Sequence, residues 1–487
     1  MKAPNTIELI ALIPFILMSL TIVFQLLLLS IQRHHALMAG ITVTGSLAVL
    51  ASLYFLAGTG TIRIQSLLVL DAFSRYHLAL IAAFSAAVAL IAFGYLKLRH
   101  EQPEEFYVLL ALASLGSMLL TASSHFIAVF LGIELLSISL YALVAFLQPG
   151  SRTLEAGIKF LVLASASAAF MLFGMALIYM QYGTMQYGMR ALIPAQTGFL
   201  AAGFAMLLVG IGFKMAVVPF HIWTPDVYEG APAPVSGFIA SVSKVAVVAA
   251  AIRLYHGFAI DQVAVFTTLL TAVACLSMLW GNIGALMQSN VKRLLGYSSI
   301  AHLGYVTIVF LVNRQEGAGA AAFYMAAYGS ATIAAFGVIA ALSTRDGDGE
   351  TLTDFRGLWQ RHPWLTLVMT AAMLSFAGIP LTAGFSGKFG ILMAGAHANV
   401  WIPIYMLILG SVIGIFYYLR VIVAMYGLPE KAGESTIPAT AATAVRAVSF
   451  AGNFALGMLF ALIIWLGVYP GPLMEHLRMT LTAIFGS

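Results

Sequence analysis

The stretch LLVGIGFKMAVVPFHIWTPDVYEGAPAPVSGFIASVSKVAVVAA, residues 207–250, sets two lysines into apolar runs on either side of a proline-rich break. A charge at bilayer depth costs roughly 2.5–3.5 kcal/mol on insertion scales. Lys214 is too deep to reach the interface easily if its helix continues past Pro219, and Lys244 lies well inside the next run. Pro219 removes a helix hydrogen bond and clashes with the preceding turn. Irregular backbone at membrane depth is tolerated only where protein or water satisfies its polar groups. The stretch therefore reads as a broken membrane helix with a buried lysine beside the break, followed by a second helix carrying another.

Two further stretches share this character. LGIELLSISLYAL, residues 131–143, buries Glu134, and GIPLTAGFSGKFGILM, residues 378–393, sets Lys388 just after a second break crowded with Gly378, Pro380, Gly384 and Gly387. Lysine and carboxylate can change charge state when buried, so this set suggests a path for protons or ions. The alternatives are structural: an interhelical hydrogen bond for Glu134, and a fixed ion pair for each lysine.

Composition agrees with a membrane setting. The chain is 61% hydrophobic and 8% charged, with a mean hydropathy of +0.99, against about 25% charged residues in soluble chains. Runs long enough to span hydrocarbon as helices fall at about 6–30, 36–57, 69–96, 105–122, 125–147, 153–180, 198–227, 233–256, 262–287, 291–312, 317–343, 364–397, 400–426 and 445–469. The class is an all-α polytopic membrane protein with about fourteen transmembrane helices, two of them broken. Strands are not expected, because the runs do not alternate. The N-terminus lacks a cationic leader region and reads as a retained first helix.

Basic residues divide between the two sets of loops. One set holds Arg33, Lys97, Arg99, Arg152, Lys292, Arg293, Arg345, Arg356, Arg361, Arg420, Lys431 and Arg446; the other holds Lys2, Arg63, Arg75, Arg190, Arg253, Arg314 and Arg478. The richer set is expected to be cytoplasmic, which places both termini outside. The net charge of +5 fits loop orientation better than nucleic-acid binding. The polar stretches at about 343–363 and 427–446 read as cytoplasmic loops, with Phe355, Leu358 and Trp359 at the membrane interface.

Glu155 and Lys159 form an i,i+4 pair near a helix start, suited either to an accessory relay role or to a local surface pair. His302, in LLGYSSIAHLGYV with Tyr297, Ser298, Ser299 and Tyr305 around it, can shuttle protons near neutral pH; His221 is a weaker candidate of the same kind. Lys292 and Arg293 read as loop-end anchors, and Asp226 and Glu229 as interfacial carboxylates. The lone Cys275 excludes an internal disulfide or a thiolate-cluster site. No metal-ligand spacing, catalytic triad or nucleotide-binding loop is present.

HIWTPDVYEGAPAPVSGFIASVSK, residues 221–244, with VKRLLGYSSIAHLGY, residues 291–305, resembles the subunit N family of respiratory complex I, the proton-pumping NADH:quinone oxidoreductase. The resemblance extends over essentially the whole chain. It implies two inverted five-helix repeats, helices four to eight and nine to thirteen, bounded as 105–256 and 257–426, after a three-helix segment at 1–104 and before a loop and last helix at 427–487. It casts Glu134 and Lys214 as a coupled ion pair, Lys244 as the central relay, Lys388 as the terminal proton-transfer residue and His302 as a member of the connecting axis. Sibling subunit M usually has glutamate at the position of Lys388, and subunit L continues into a long lateral helix. Three helices before the first repeat fit bacterial or plastid forms.

The resemblance further implies a bacterial inner-membrane location and no cofactor or metal in this chain. NAD, FMN, iron–sulfur clusters and quinone would belong to partner subunits. The expected partners are an adjacent antiporter-like subunit, small membrane subunits and the lipid bilayer. The alternative function is a subunit of a multisubunit cation/proton antiporter. A third reading is an inert membrane scaffold.

Overall fold

A computed structural model describes residues 5–99, 102–147, 151–187, 198–258, 264–345, 347–428 and 449–485. Lys2, Arg190, Lys431, Arg446 and nearly all of the expected loop at 427–446 lie outside them.

The helices follow the apolar runs. In chain order they are α1 (Thr6–Ile31), α2 (His35–Phe55), α3 (Ala72–Arg99), α4 (Glu104–Ala122), α5 (Phe126–Val144), α6 (Ser151–Tyr182), α7 (Gly198–Met215), α8 (Trp223–Gly230), α9 (Ala233–Phe238) and α10 (Lys244–Gly257). Then come α11 (Ala264–Leu286), α12 (Val291–Thr307), α13 (Arg314–Leu342), α14 (Leu352–Phe355), α15 (Leu358–Arg361), α16 (Pro363–Ala377), α17 (Ala383–His397), α18 (Trp401–Tyr426), α19 (Phe450–Val468) and α20 (Gly471–Phe485). Among the described residues, 13 helices are long and apolar enough to cross a membrane, and Pro363–Ala377 is a shorter apolar one.

Local sequence sets the ends. Asn5 and Glu8 close a capping box on α1, Asn290 accepts from the Arg293 N–H at the start of α12, and Ser449 does the same for Gly452 in α19. Each satisfies N–H groups that a helix start leaves open. The α4–α5 contact depends on small residues: a Cβ on Gly116 would lie 2.5 Å from the Leu136 nitrogen. Close backbone approach of this kind is how membrane helices gain contact without a hydrophobic driving force.

Burial sorts the helices into an inner and an outer group. Over an apolar 18-residue stretch of each, the buried share is 100% in Ala233–Gly257 and 94% in α13, but 33% in α1 and α18. The inner helix Ala233–Gly257 contains a five-residue π-helical segment, Ile239–Ser243, immediately before Lys244. Such segments recur at functional sites in helices.

Three features depart from expectation. A two-stranded antiparallel hairpin, β1 (Ile62–Ile64) with β2 (Leu68–Leu70), joins α2 to α3. The helix α20 follows the last long span; it buries Leu477 and Leu481 while Met479 is exposed. Phe355 and Leu358 are wholly buried rather than interfacial, leaving Trp359 exposed against Tyr426 with ring centroids 5.4 Å apart.

Candidate proton-relay site

The first break falls between α7 and α8, where Ala216 adopts φ +63°. Ending a helix inside the protein leaves carbonyls without intrahelical partners. Two side chains take them up. Trp223 Nε1 donates to the Phe213 carbonyl at 3.0 Å, and Lys244 Nζ donates to the Lys214 carbonyl at 2.8 Å. Lys244 has no solvent exposure, and its ammonium sits 4.9 Å from the Trp223 ring centre. A cation here also meets the negative end of the α7 dipole.

The second break is built in the same way. α16 ends on Gly378 at φ +81°, a left-handed cap that glycine adopts without strain. Lys388 Nζ donates to the carbonyls of Phe376 at 2.8 Å and Ala377 at 3.2 Å. Lys388 is buried, with its ammonium 5.1 Å from the Tyr305 ring centre. At Gly384 an added Cβ would lie 1.8 Å from the Ser375 oxygen, so only glycine lets the half-helices meet.

Lys214 is buried in the last turn of α7 and donates to Ser137 Oγ at 2.5 Å. Ser137 lies three residues after Glu134 on α5, and Glu134 is half-buried. Among the described residues no ion pair within 4.0 Å joins Glu134 to Lys214, so the serine hydroxyl, not the carboxylate, makes the direct contact.

His302 is 3% exposed and occupied on both ring nitrogens: Nδ1 lies 2.5 Å from Tyr324 Oη and Nε2 lies 2.9 Å from Tyr418 Oη. Tyr418 continues to Ser298 Oγ at 2.5 Å. The neighbouring Ser299 is bonded to Tyr328 at 2.9 Å and Tyr228 at 3.2 Å. These hydroxyls can each donate and accept, as a chain that passes protons requires. Tyr228, Tyr324, Tyr328 and Tyr418 come from three other helices and were not among the sequence candidates. His221, beside the first break, packs edge-on against Trp280 at 6.0 Å, with its Nδ1 buried.

A second set of charges forms a continuous chain of ion pairs. Glu155 meets Lys159 at 2.6 Å, as its spacing implies, and Lys159 also meets Asp226 at 3.0 Å. Arg293 binds Asp226 at 2.7 Å and Glu229 at 2.9 Å. Arg152 bridges Glu229 at 3.9 Å and Glu350 at 3.8 Å. Lys292 joins Glu350 at 3.5 Å to Asp348 at 2.7 Å, and Arg99 ends the chain on Asp348 at 2.5 Å.

Lys292, at the loop end that opens α12, is buried and ties loop segments together. It is 2% exposed and also donates to the Ala231 carbonyl at 2.7 Å. Burial pushes the Asp348 carboxyl up, but Lys292 and Arg99 together outweigh it and hold the group below its ordinary value. Arg99, Arg152, Lys292 and Arg293, all from the richer set of basic loops, meet in this one network.

Among the described residues no three His, Cys, Asp or Glu side chains converge as a metal ion would need.

The family described as "NADH:quinone oxidoreductase/Mrp antiporter, TM" matches residues 123–414, which hold Glu134, Lys214, Lys244, Lys388 and both breaks. The chain belongs to this class of membrane subunits. It is 41% identical over 479 residues to the NADH-quinone oxidoreductase subunit N of Ectopseudomonas mendocina (strain ymp), covering 96% of this chain and 95% of the relative. It therefore belongs to the subunit N family. Among solved structures it resembles a chain of respiratory complex I from Thermus thermophilus (32% identity, TM-score 0.78, 95% and 99% of the two chains). It also resembles a chain of an archaeal membrane-bound sulfane sulfur reductase (26%, TM-score 0.85, 98% of each). A chain of the Mrp complex from Dietzia sp. DQ12-45-1b shares the fold at 18% identity (TM-score 0.86, 99% and 98%).

Proposed function

We propose that this chain is a proton-translocating membrane subunit of an NADH:quinone oxidoreductase, and that Glu134, Lys214, Lys244, His302 and Lys388 form its relay. One observation carries the reading. Lys214, Lys244 and Lys388 are all buried beside or against the two helix breaks, and none has a carboxylate within ion-pair distance among the described residues. A lysine held by hydroxyl and carbonyl oxygens has no fixed counter-charge, so its proton can leave when those dipoles move.

In this reading the chain holds no redox group. NAD, FMN, iron–sulfur clusters and quinone act in partner subunits, and the neighbours are an adjacent antiporter-like subunit and small membrane subunits. The two five-helix repeats occupy 105–256 and 257–426, each with one break. The setting is a bacterial inner membrane, with the ion-pair chain on the cytoplasmic face and both termini outside. Glu155, Lys159 and His221 are accessory at most: the first two sit in the surface part of the ion-pair chain.

The test is Lys244→Met in inverted membrane vesicles at matched assembly. NADH-driven quinone reduction and internal acidification should both fall. Full retention of both would assign the chain a scaffold role. Proton movement driven by a sodium gradient without NADH, and lost in the variant, would assign it to cation/proton exchange.

A further inference from the structure

A cavity of about 610 Å³ opens between the start of α2, the end of α3 and the start of α4. Arg33, Lys97, Arg99 and Arg345 line it, against the single acid Glu104. Arg99 is committed to Asp348 at 2.5 Å, and Arg33 pairs with Glu105 at 2.8 Å and with Glu104 at 3.7 Å. Lys97 and Arg345 are exposed and have no hydrogen-bond or ion-pair partner among the described residues. The inner wall is aromatic: the Phe93 ring lies 4.6 Å from His35. The stretch from Arg33 to Ala36 that enters the cavity is flanked by Ile31 and Leu37, which are 81% and 44% exposed.

Cations gathered where lipid-facing aliphatic surface gives way to the polar boundary match the headgroup region of a bilayer. Basic pockets between membrane helices on the cytoplasmic side suit anionic lipid headgroups. We propose that this cavity binds the phosphate headgroup of an anionic phospholipid, with Lys97 and Arg345 on the phosphate oxygens and the acyl chains over Ile31 and Leu37. Two uncommitted cations, Lys97 and Arg345, in a cavity of this size suit a lipid bearing two phosphates better than one. The position at the lipid-facing edge favours a lipid over a soluble anion, and nothing in the inference depends on the proton relay.

The test uses the intact membrane complex in mild detergent, carrying the wild-type chain, the double variant Lys97→Gln/Arg345→Gln, or the charge-keeping swap Lys97→Arg/Arg345→Lys. Co-purified lipid is measured by mass spectrometry. Rebinding is measured with vesicles of diphosphatidylglycerol, with phosphatidylethanolamine vesicles and inorganic phosphate as comparisons. Each basic residue at an anionic surface contributes about a five-fold gain, so the glutamine variant should rebind about 30-fold more weakly and lose its retained anionic lipid. The charge-keeping swap should retain it. Equal anionic lipid in wild type and glutamine variant would overturn the proposal. So would displacement of the lipid by millimolar inorganic phosphate, which marks a free-anion site. Loss of a neighbouring protein subunit with lipid content unchanged would also overturn it, and would mark a protein contact.

Discussion

Lys244 Nζ donates to the backbone carbonyl of Lys214 at 2.8 Å, so two candidate relay lysines are joined through main chain rather than through a carboxylate. The carbonyl is available because α7 ends one residue later, at Met215. Lys388 meets the end of α16 in the same manner. In both halves a lysine serves as helix cap and as titratable group at once, so its charge state and the integrity of the break are linked.

That link sharpens a test at Lys388. Arginine can still donate to Phe376 and Ala377, but with a pKa above about 12 it does not release its proton. Lys388→Arg should assemble and lose proton translocation by at least about ten-fold. Lys388→Met should lose pumping and also about 1.5–3 kcal/mol of stability, the worth of a hydrogen bond to a charged group. Quinone-dependent NADH oxidation with vesicle acidification, normalised to assembled complex, reads the first effect; thermal unfolding reads the second. Wild-type pumping by the arginine variant would leave Lys388 a structural role.

Glu134→Ala should impair pumping more than Glu155→Ala. Glu134 is half-buried within a turn of Ser137, which receives the Lys214 ammonium, whereas Glu155 is 60% exposed in a local pair with Lys159. Exposed pairs contribute about 0–1 kcal/mol. Proton uptake at matched assembly compares the two, and equal loss would count against the ranking.

Tyr418→Phe keeps the ring but removes the hydroxyl shared by His302 and Ser298. The buried imidazole then lacks one partner, at a cost of about 1–3 kcal/mol. Pumping should fall several-fold while the variant still assembles. Unchanged turnover would remove Tyr418 from the connecting axis.

Asp348→Asn removes the anion between Lys292 and Arg99, which are 2% and 14% exposed at the side chain. Breaking a buried pair by deleting one partner costs about 3–5 kcal/mol. The pH dependence has a definite sign. The folded-state pKa of Asp348 lies below its ordinary 3.8, so its contribution is present above that value and lost as pH falls through the depressed one. Wild type should therefore lose stability on acidification below about pH 4 more steeply than Asp348→Asn. Parallel acid-unfolding curves would contradict this.

Much of the fold is legible because a membrane helix needs a long apolar run, and each run forms a helix or a pair of half-helices. The hairpin at Ile62–Ile64 and Leu68–Leu70 was hidden by its brevity, and α20 because Glu475, His476 and Arg478 interrupt its apolar residues. The buried charges announce themselves by their cost. Their partners do not: the carbonyls of Lys214, Phe376 and Ala377 carry no sequence mark, since every residue has one. Tyr324 and Tyr418 look like ordinary membrane aromatics until packing brings them to His302, 22 and 116 residues away in sequence. The ion-pair chain draws on separate segments, and only the Glu155–Lys159 pair lies within one turn of helix.

The short helix α8 runs from the first break to the surface ion pairs. Its acidic residues Asp226 and Glu229 are clamped by Lys159, Arg152 and Arg293, while its other end joins the irregular segment after Met215. At that end Trp223 is buried, stacks on Phe160 with ring centroids 4.8 Å apart, faces the Lys244 ammonium and donates to the Phe213 carbonyl. One eight-residue helix thus carries both the carboxylates of the surface network and the indole beside the lysines, a short strut between the two sets of charges.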